Sequence, residues 1–177
     1  MTTMLEELRA GLPDHARDLK LNLSSVLQQP ELSEQQLWGT ALASASAARN
    51  APLLQAVAAE ARSRLSPEAF RAARTAAALM GMNNVYYRFV HMAGGDYADR
   101  PARLRMNALA RPEVDHADFE LWSLAVSAIN GCEMCVRSHE KVLREKGVGP
   151  DQIQAAVRIA AVIHAVAGVL DAEAALA

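Results

Sequence analysis

The chain has 177 residues, 51% hydrophobic and only 5% aromatic, with a formal net charge of −2. That length builds one domain with a sizeable core, and its apolar mass of Ala, Leu, Val and Met favours closely packed helices over a β-sandwich. Charges of both signs are interspersed, with no basic stripe for nucleic acid and no acidic tail to act as a solvating arm.

In chain order, Leu5 to Leu27 reads as one or two short helices broken at Gly11-Leu12-Pro13. The stretch before it carries acidic residues and no apolar core of the kind a secretory leader needs, so a soluble, cytoplasmic protein is expected. Ser33 caps the next helix, with Gln36 at the capping-box position, and the helix runs to about Arg49. Asn50-Ala51-Pro52 interrupts, and Leu53 to Arg64 follows. Ser66-Pro67-Glu68 is a strong helix start, opening a long Ala-rich helix to Met92 that Gly94-Gly95-Asp96 ends. A short helix is expected around Arg103 to Leu109. A helix then runs from near Asp115 to Asn130-Gly131, where glycine permits left-handed backbone angles. Cys132 to Lys146 is read as the next helix and Pro150 to about Ala174 as the last. That last helix is apolar on nearly all sides, which calls for burial by neighbours or by another subunit. Its apolar run from Ile159 to Leu170, interrupted by His164 and Gly168, is too short to span a bilayer, so no membrane partner is expected. The fold class is all-α.

The helical series repeats. Leu37-Trp38 and Leu121-Trp122 hold the two tryptophans, each before an alanine-rich run, and S-P-E-A-F-R-A-A at 66–73 matches G-P-D-Q-I-Q-A-A at 149–156. The chain reads as one domain over residues 1–177 built from a duplicated helical unit. A degenerate copy lies at about 33–92 and a chemistry-bearing copy at about 115–176. Aligned on the tryptophans, Glu120 falls on Gln36, Cys132 on Ala48, Cys135 on Ala51 and His139 on Gln55.

The chemistry concentrates between Glu120 and His139. Cys132 and Cys135, the two cysteines of the chain, form a C-x-x-C, and His139 follows four residues after the second thiol. In a reducing compartment such a pair is a redox or metal centre more often than a staple. On a helix of about 100° per residue the two thiols and His139 share an arc of about 60°. The helix start favours a thiolate at Cys132 through the macrodipole, and Cys135 and His139 touch as an i, i+4 pair. Folding back at Asn130-Gly131 brings Glu120 level with His139, where it can orient the imidazole and balance its charge. The resulting proton order is Glu120, His139, Cys135, Cys132. His15, His91 and His116 are expected at the surface or at helix ends, and His164 in the core. Met80, Met82 and Met92 read as packing, and Asn83 and Asn84 as structural amides.

These residues resemble the alkyl hydroperoxidase D family of the carboxymuconolactone decarboxylase-like group. The likeness is carried by L-K-L-N-L-S-S (19–25), Q-L-W-G-T (36–40), M-G-M-N-N-V-Y-Y-R (80–88), F-E-L-W-S (119–123) and S-A-I-N-G-C-x-x-C (127–135). The family pattern E-x11-C-x2-C-x3-H is met at Glu120, Cys132, Cys135 and His139. The resemblance implies an AhpD-like helical fold, a homotrimer and alkyl hydroperoxide reductase activity. Dihydrolipoamide on the lipoyl-bearing acyltransferase of a 2-oxoacid dehydrogenase complex would be the electron donor. The partner would be a peroxiredoxin, alkyl hydroperoxidase C, whose disulfide the protein reduces. No bound cofactor and no metal are implied. The same resemblance makes Cys135 the attacking thiol, which forms a sulfenic acid or an interchain disulfide with the peroxiredoxin. Cys132 becomes the proton donor and resolving thiol, closing a Cys132–Cys135 disulfide, while His139 and Glu120 relay protons. Members often carry a histidine at the second x of the C-x-x-C. This chain has Met134, which the helical projection places off the thiol face.

Two other classes compete. A lyase of the carboxymuconolactone decarboxylase type would use the same fold without a dithiol cycle. A non-catalytic helical module stabilised by zinc would use both thiols and His139, with a fourth ligand from Glu120, His116 or His164.

Overall fold

The computed structural model describes residues 2–177, and among them there are helices and no strand. Short helices α1 (Met4–Ala10) and α2 (Arg17–Val26) flank a single 3-10 turn at Asp14–Ala16. Then come α3 (Glu34–Ala48), α4 (Ala51–Arg64) and α5 (Pro67–Ala93). A short helix α6 (Asn107–Ala110) leads into α7 (His116–Ile129), α8 (Glu133–Glu145) and α9 (Pro150–Leu176).

The starts follow local chemistry. Ser33 and Gln36 form the expected capping box, Ser66 caps α5 through Ala69 N–H, and Asp115 caps α7 through Ala117 N–H. The expected helix at Arg103 to Leu109 is shorter. Arg103 has a positive φ of 52°, which breaks helical geometry, and the helix begins at Asn107.

Two helices form the middle of the molecule. Every residue of α3 from Leu37 to Ala45 is buried, as is every residue of α7 from Asp118 to Ser127. They pack on each other, and both also touch α5 and α9. Gly39 makes the crossing close: a Cβ there would overlap the Trp122 indole. Trp122 Nε1 donates to Gln36 O at 3.3 Å, so the ring fills the core and keeps its one polar atom bonded. Gln35 and Gln36 donate to the buried Asp118 carboxylate at 2.7 and 2.9 Å, closing the same junction.

The last helix departs from expectation. α9 spans 27 residues and by length and composition is long and apolar enough to cross a membrane. A core helix of a globular protein passes the same test, and Ile153, Ala156, Ile159, Ile163 and Val166 are buried in a molecule where α9 packs on α2, α3 and α7. The other side is open, and His164, expected in the core, is exposed there.

Helix lengths recur: 15, 14 and 27 residues for α3 to α5, and 14, 13 and 27 for α7 to α9. The turns between the first two members also match. Arg49 (φ 63°) precedes the N-cap Asn50, and Gly131 (φ 65°) precedes the N-cap Cys132. Matched at these caps, the register differs by two residues from the tryptophan alignment. Glu120 then stands opposite Trp38, Cys132 opposite Asn50, Cys135 opposite Leu53 and His139 opposite Val57.

Candidate redox site

α8 buries one narrow stripe, Cys135, His139 and Leu143, at i, i+4 and i+8. Its other faces carry exposed charge, such as the Arg137–Glu133 pair at 2.8 Å. The chemistry therefore occupies the stripe that an ordinary amphipathic helix would fill with Leu or Ile. Cys132 is the N-cap of α8 and not its first helical residue, with extended backbone at φ −93° and ψ 91°. Its sulfur accepts the Cys135 N–H at 3.3 Å. The two sulfurs are joined in a disulfide, with Cα atoms 5.3 Å apart.

Glu120 on α7 and His139 on α8 meet across the turn, as the fold-back at Gly131 requires. His139 Nδ1–H donates to Glu120 Oε2 at 2.6 Å, with both side chains about nine-tenths buried. Pairing is what makes a buried carboxylate tolerable, since an isolated charge in apolar surroundings would be strongly disfavoured. His139 Nε2 faces Met80 Sδ on α5 at 3.2 Å and makes no hydrogen bond to a thiol in this disulfide form. A carboxylate only accepts, so Nδ1 is the nitrogen that carries the proton in the contact with Glu120. Met80 is thus a neighbour of the imidazole, beyond the packing role expected of it.

His116, expected at a helix end, is the first residue of α7. Its Nε2–H donates to Leu109 O at 3.1 Å and lies 3.8 Å from Glu120 Oε1. Glu120 therefore has an imidazole near each oxygen. His15 and His91 are exposed, beside Glu173 and Glu133 respectively.

The turn that presents the thiols is held by α5. Asn84 Nδ2 donates to Ser127 Oγ at 2.9 Å, and Asn130 Nδ2 donates to Asn84 Oδ1 at 2.9 Å. Arg88 Nη1 donates to Asn130 O at 2.6 Å. Asn84 is thus the structural amide expected. Asn83 is not: it is 4% exposed, and among the described residues its Oδ1 has no hydrogen-bond partner. Leaving a buried amide oxygen unpaired costs about 1–3 kcal/mol, so a residue kept only for packing would not be an amide here.

Beside the disulfide lies a cavity of about 460 Å³, whose walls include Cys135, His139, Met80, Asn83, Tyr87 and Met134. Met134 therefore faces the site, although helical projection placed it off the thiol face. That projection fails because Cys132, used as its origin, is not helical. Met106 and Leu109, from the α6 segment, close the cavity with apolar groups. A mostly apolar pocket with a few convergent polar atoms suits a small organic molecule with one polar end. A smaller opening of about 330 Å³ between α1, α2 and α4 does not contain these residues.

Sequence reasoning placed Cys132, Cys135, Glu120 and His139 in one site, and the structure brings all four together. It missed Met80 and Asn83 as members. The available signal was the helical face 80, 83, 84, 87 of α5, where two amides interrupt an apolar stripe. His164 lies apart on α9, and among the described residues no group of three His, Cys, Asp or Glu side chains is arranged to hold a metal ion.

An all-helical scaffold with a buried C-x-x-C disulfide at a helix start, backed by a paired histidine and glutamate, defines a dithiol–disulfide class of protein. Residues 95–177 match the model of the carboxymuconolactone decarboxylase family. Over 172 residues the chain is 63% identical to the alkyl hydroperoxide reductase AhpD of Gluconacetobacter diazotrophicus, covering 97% of this chain and 95% of that protein. It is 59% identical over 170 residues to the AhpD of Maricaulis maris, covering 96% and 98%, and 57% identical over 173 residues to that of Rhodospirillum centenum, covering 97% and 93%. The chain belongs to the alkyl hydroperoxide reductase AhpD family.

Proposed function

We propose that the protein is a thiol-dependent alkyl hydroperoxide reductase whose working centre is the Cys132–Cys135 pair. The observation that carries this reading is the disulfide beside a buried Glu120–His139 pair and an apolar cavity.

In the dithiol form, the Cys135 thiolate attacks the terminal oxygen of the hydroperoxide. A sulfur–oxygen bond forms as the O–O bond breaks, and the leaving alkoxide takes a proton supplied by Cys132, giving the alcohol. The Cys132 thiolate left by that transfer then attacks the Cys135 sulfenic acid sulfur; the S–O bond breaks, the departing hydroxide takes a proton from His139 and leaves as water, and the disulfide closes. His139, oriented by Glu120, holds the proton exchanged with the thiols.

Reduction by dihydrolipoamide on a lipoyl-bearing acyltransferase resets the dithiol. In the coupled reaction, Cys135 attacks the disulfide of the peroxiredoxin alkyl hydroperoxidase C, and Cys132 resolves the mixed disulfide. The family motif at Glu120, Cys132, Cys135 and His139 supports this assignment of donor and partner through the resemblance it carries. We place the protein in the cytoplasm as a homotrimer, supported by the family resemblance and by the partly open apolar α9. We also assign residues 33–92 and 115–176 as two copies of one helical unit within a single domain, supported by the recurring helix lengths and matching turns.

Reconstitution tests the reading. Dihydrolipoamide oxidation should couple to reduction of the oxidised peroxiredoxin and stop in Cys135→Ser. Absence of coupling with the native protein overturns the electron route. The match of residues 95–177 gives a decarboxylase-type lyase some standing. Lactone decarboxylation that persists in a Cys132→Ser/Cys135→Ser variant would establish that lyase in place of the reductase.

A further inference from the structure

The cavity beside Cys135 takes its walls from three elements. α5 gives Met80 and Tyr87, the α6 segment gives Met106 and Leu109, and α8 gives Cys135 and Ser138. Thioether and aliphatic groups donate no hydrogen bond. His139 is already engaged, with Nδ1–H on Glu120 and Nε2 against Met80 Sδ. Tyr87 and Ser138 bring hydroxyl groups to the same lining. They stand differently toward the reacting sulfur. Ser138 is exposed and follows Cys135 one turn later on the same helix, so it flanks the sulfur and is open to water. Tyr87 is half-buried and belongs to the α5 wall, not to the helix that carries Cys135. Tyr86 packs edge-on against its ring, with centroids 5.2 Å apart. The bonds that tie α5 to the thiol-bearing turn run through Asn84 and Arg88, which leaves Tyr87 outside that strut.

We infer that Tyr87 is a further catalytic residue: its phenolic O–H donates to the departing, alkyl-bearing oxygen of the hydroperoxide while Cys135 attacks the terminal one. This rests on the reductase reading above. Displacement at a peroxide oxygen is in line, because the sulfur electron pair enters opposite the bond that breaks. The leaving oxygen therefore points away from the Cys135 wall, toward groups supplied by the other elements. Negative charge grows on that oxygen, and a donor already standing there lowers the barrier. The S–O bond forms as the O–O bond breaks, and the electron pair of the O–O bond leaves on the alkyl-bearing oxygen. The proton that completes the alcohol is the one supplied by Cys132, as before. Tyr87 is neither oxidised nor deprotonated; it holds the leaving oxygen and stabilises its charge. The alkyl group lies against Met106 and Leu109, which suits a compact apolar tail.

The test is single-turnover oxidation of the full-length dithiol protein, quenched by acid and followed by counting free thiols by mass. Wild-type protein that tert-butyl hydroperoxide never oxidises removes the reductase reading itself. Given wild-type oxidation, Tyr87→Phe should lower the second-order rate with tert-butyl hydroperoxide about tenfold, the worth of one hydrogen bond to a developing charge. With peroxyacetic acid, whose leaving acetate needs little help, the same variant should stay within about twofold of wild type. Its melting temperature and the alkylation of Cys135 by iodoacetamide should match wild type, because ring and thiolate are both kept. Ser138→Ala should be oxidised at the wild-type rate by both reagents. Wild-type oxidation of Tyr87→Phe by tert-butyl hydroperoxide overturns the inference, as does an equal loss with both oxidants. A parallel fall in alkylation also overturns it, since Tyr87 would then act on the thiol or the fold. A loss found in Ser138→Ala in place of Tyr87→Phe overturns it by moving the contact to the other hydroxyl.

Discussion

The α3–α4 turn and the α7–α8 turn have the same backbone device and opposite contents. In each, a residue with φ near 64° leads into an N-cap whose side chain accepts the N–H three residues on: Asn50 from Leu53, Cys132 from Cys135. Behind the first turn stand Trp38, Leu53 and Val57, all buried. Behind the second, at the cap-matched positions, stand Glu120, Cys135 and His139, also buried. The backbone does not need chemistry at these three places; the first turn forms with apolar side chains at all of them. The difference teaches that the polar groups of the second turn are an energetic concession, tolerated because Glu120 and His139 satisfy each other at 2.6 Å.

The largest effect on this contrast is expected from Cys135→Ser, which removes the atom that separates the two turns chemically. Peroxide-driven disulfide formation should be lost entirely, with mass spectrometry showing no intramolecular bridge, while the helical circular dichroism stays that of the wild type.

Next comes the buried pair. Glu120→Leu alone or His139→Val alone strands one charged or polar partner and should cost about 3–5 kcal/mol in urea unfolding. The double variant, which makes the second turn resemble the first, should regain most of that and match or exceed wild-type stability. Additive losses in the double variant would break the comparison. Glu120→Gln, which keeps the shape but not the charge, should slow turnover without abolishing it.

A smaller effect is expected at the strut. Asn84→Leu leaves Ser127 and Asn130 without their partner and should cost about 1–3 kcal/mol, measured by chemical denaturation. This contrasts with Asn83→Leu, whose cost in stability should be absent.

The smallest effects lie at the paired left-handed residues. Gly131→Ala should cost about 1 kcal/mol because a Cβ disfavours that conformation, and Arg49→Gly should be stabilising or neutral for the same reason. Thermal melts of the two variants should move in opposite directions. Movement in the same direction would show that the two turns are not governed by the same backbone strain.

The local features of this protein were legible because they depend on neighbours in the chain. Ser33 with Gln36, Ser66 before Pro67 and Asp115 before His116 announce helix starts through hydrogen bonds that span two or three residues. Gly131 announces the turn, and the turn alone is enough to bring Glu120 against His139 across a span of 19 residues. Cys132 was misplaced by one position because a cap and a first helical residue differ only in backbone angle. The tryptophan register and the cap register differ by two residues, and the two tryptophans differ in surroundings: Trp38 lies under Arg64, whereas Trp122 is inserted over Gly39. His164 misled because an apolar helix does not by itself reveal which of its faces is covered.

The sequence by itself determined the all-helical class, the helix starts and the four residues of the dithiol centre, since periodicity, caps and a tight turn act over short range. Only the tertiary structure decided what stands opposite them. Met80 Sδ meets His139 from 59 residues away, Asn84 reaches Ser127 across 43, and Asn83 joins the wall of the cavity that holds Cys135. Those contacts arise from how α5 crosses α7 and α8. That crossing is set by packing between helices distant in sequence, which no local pattern in α5 contains.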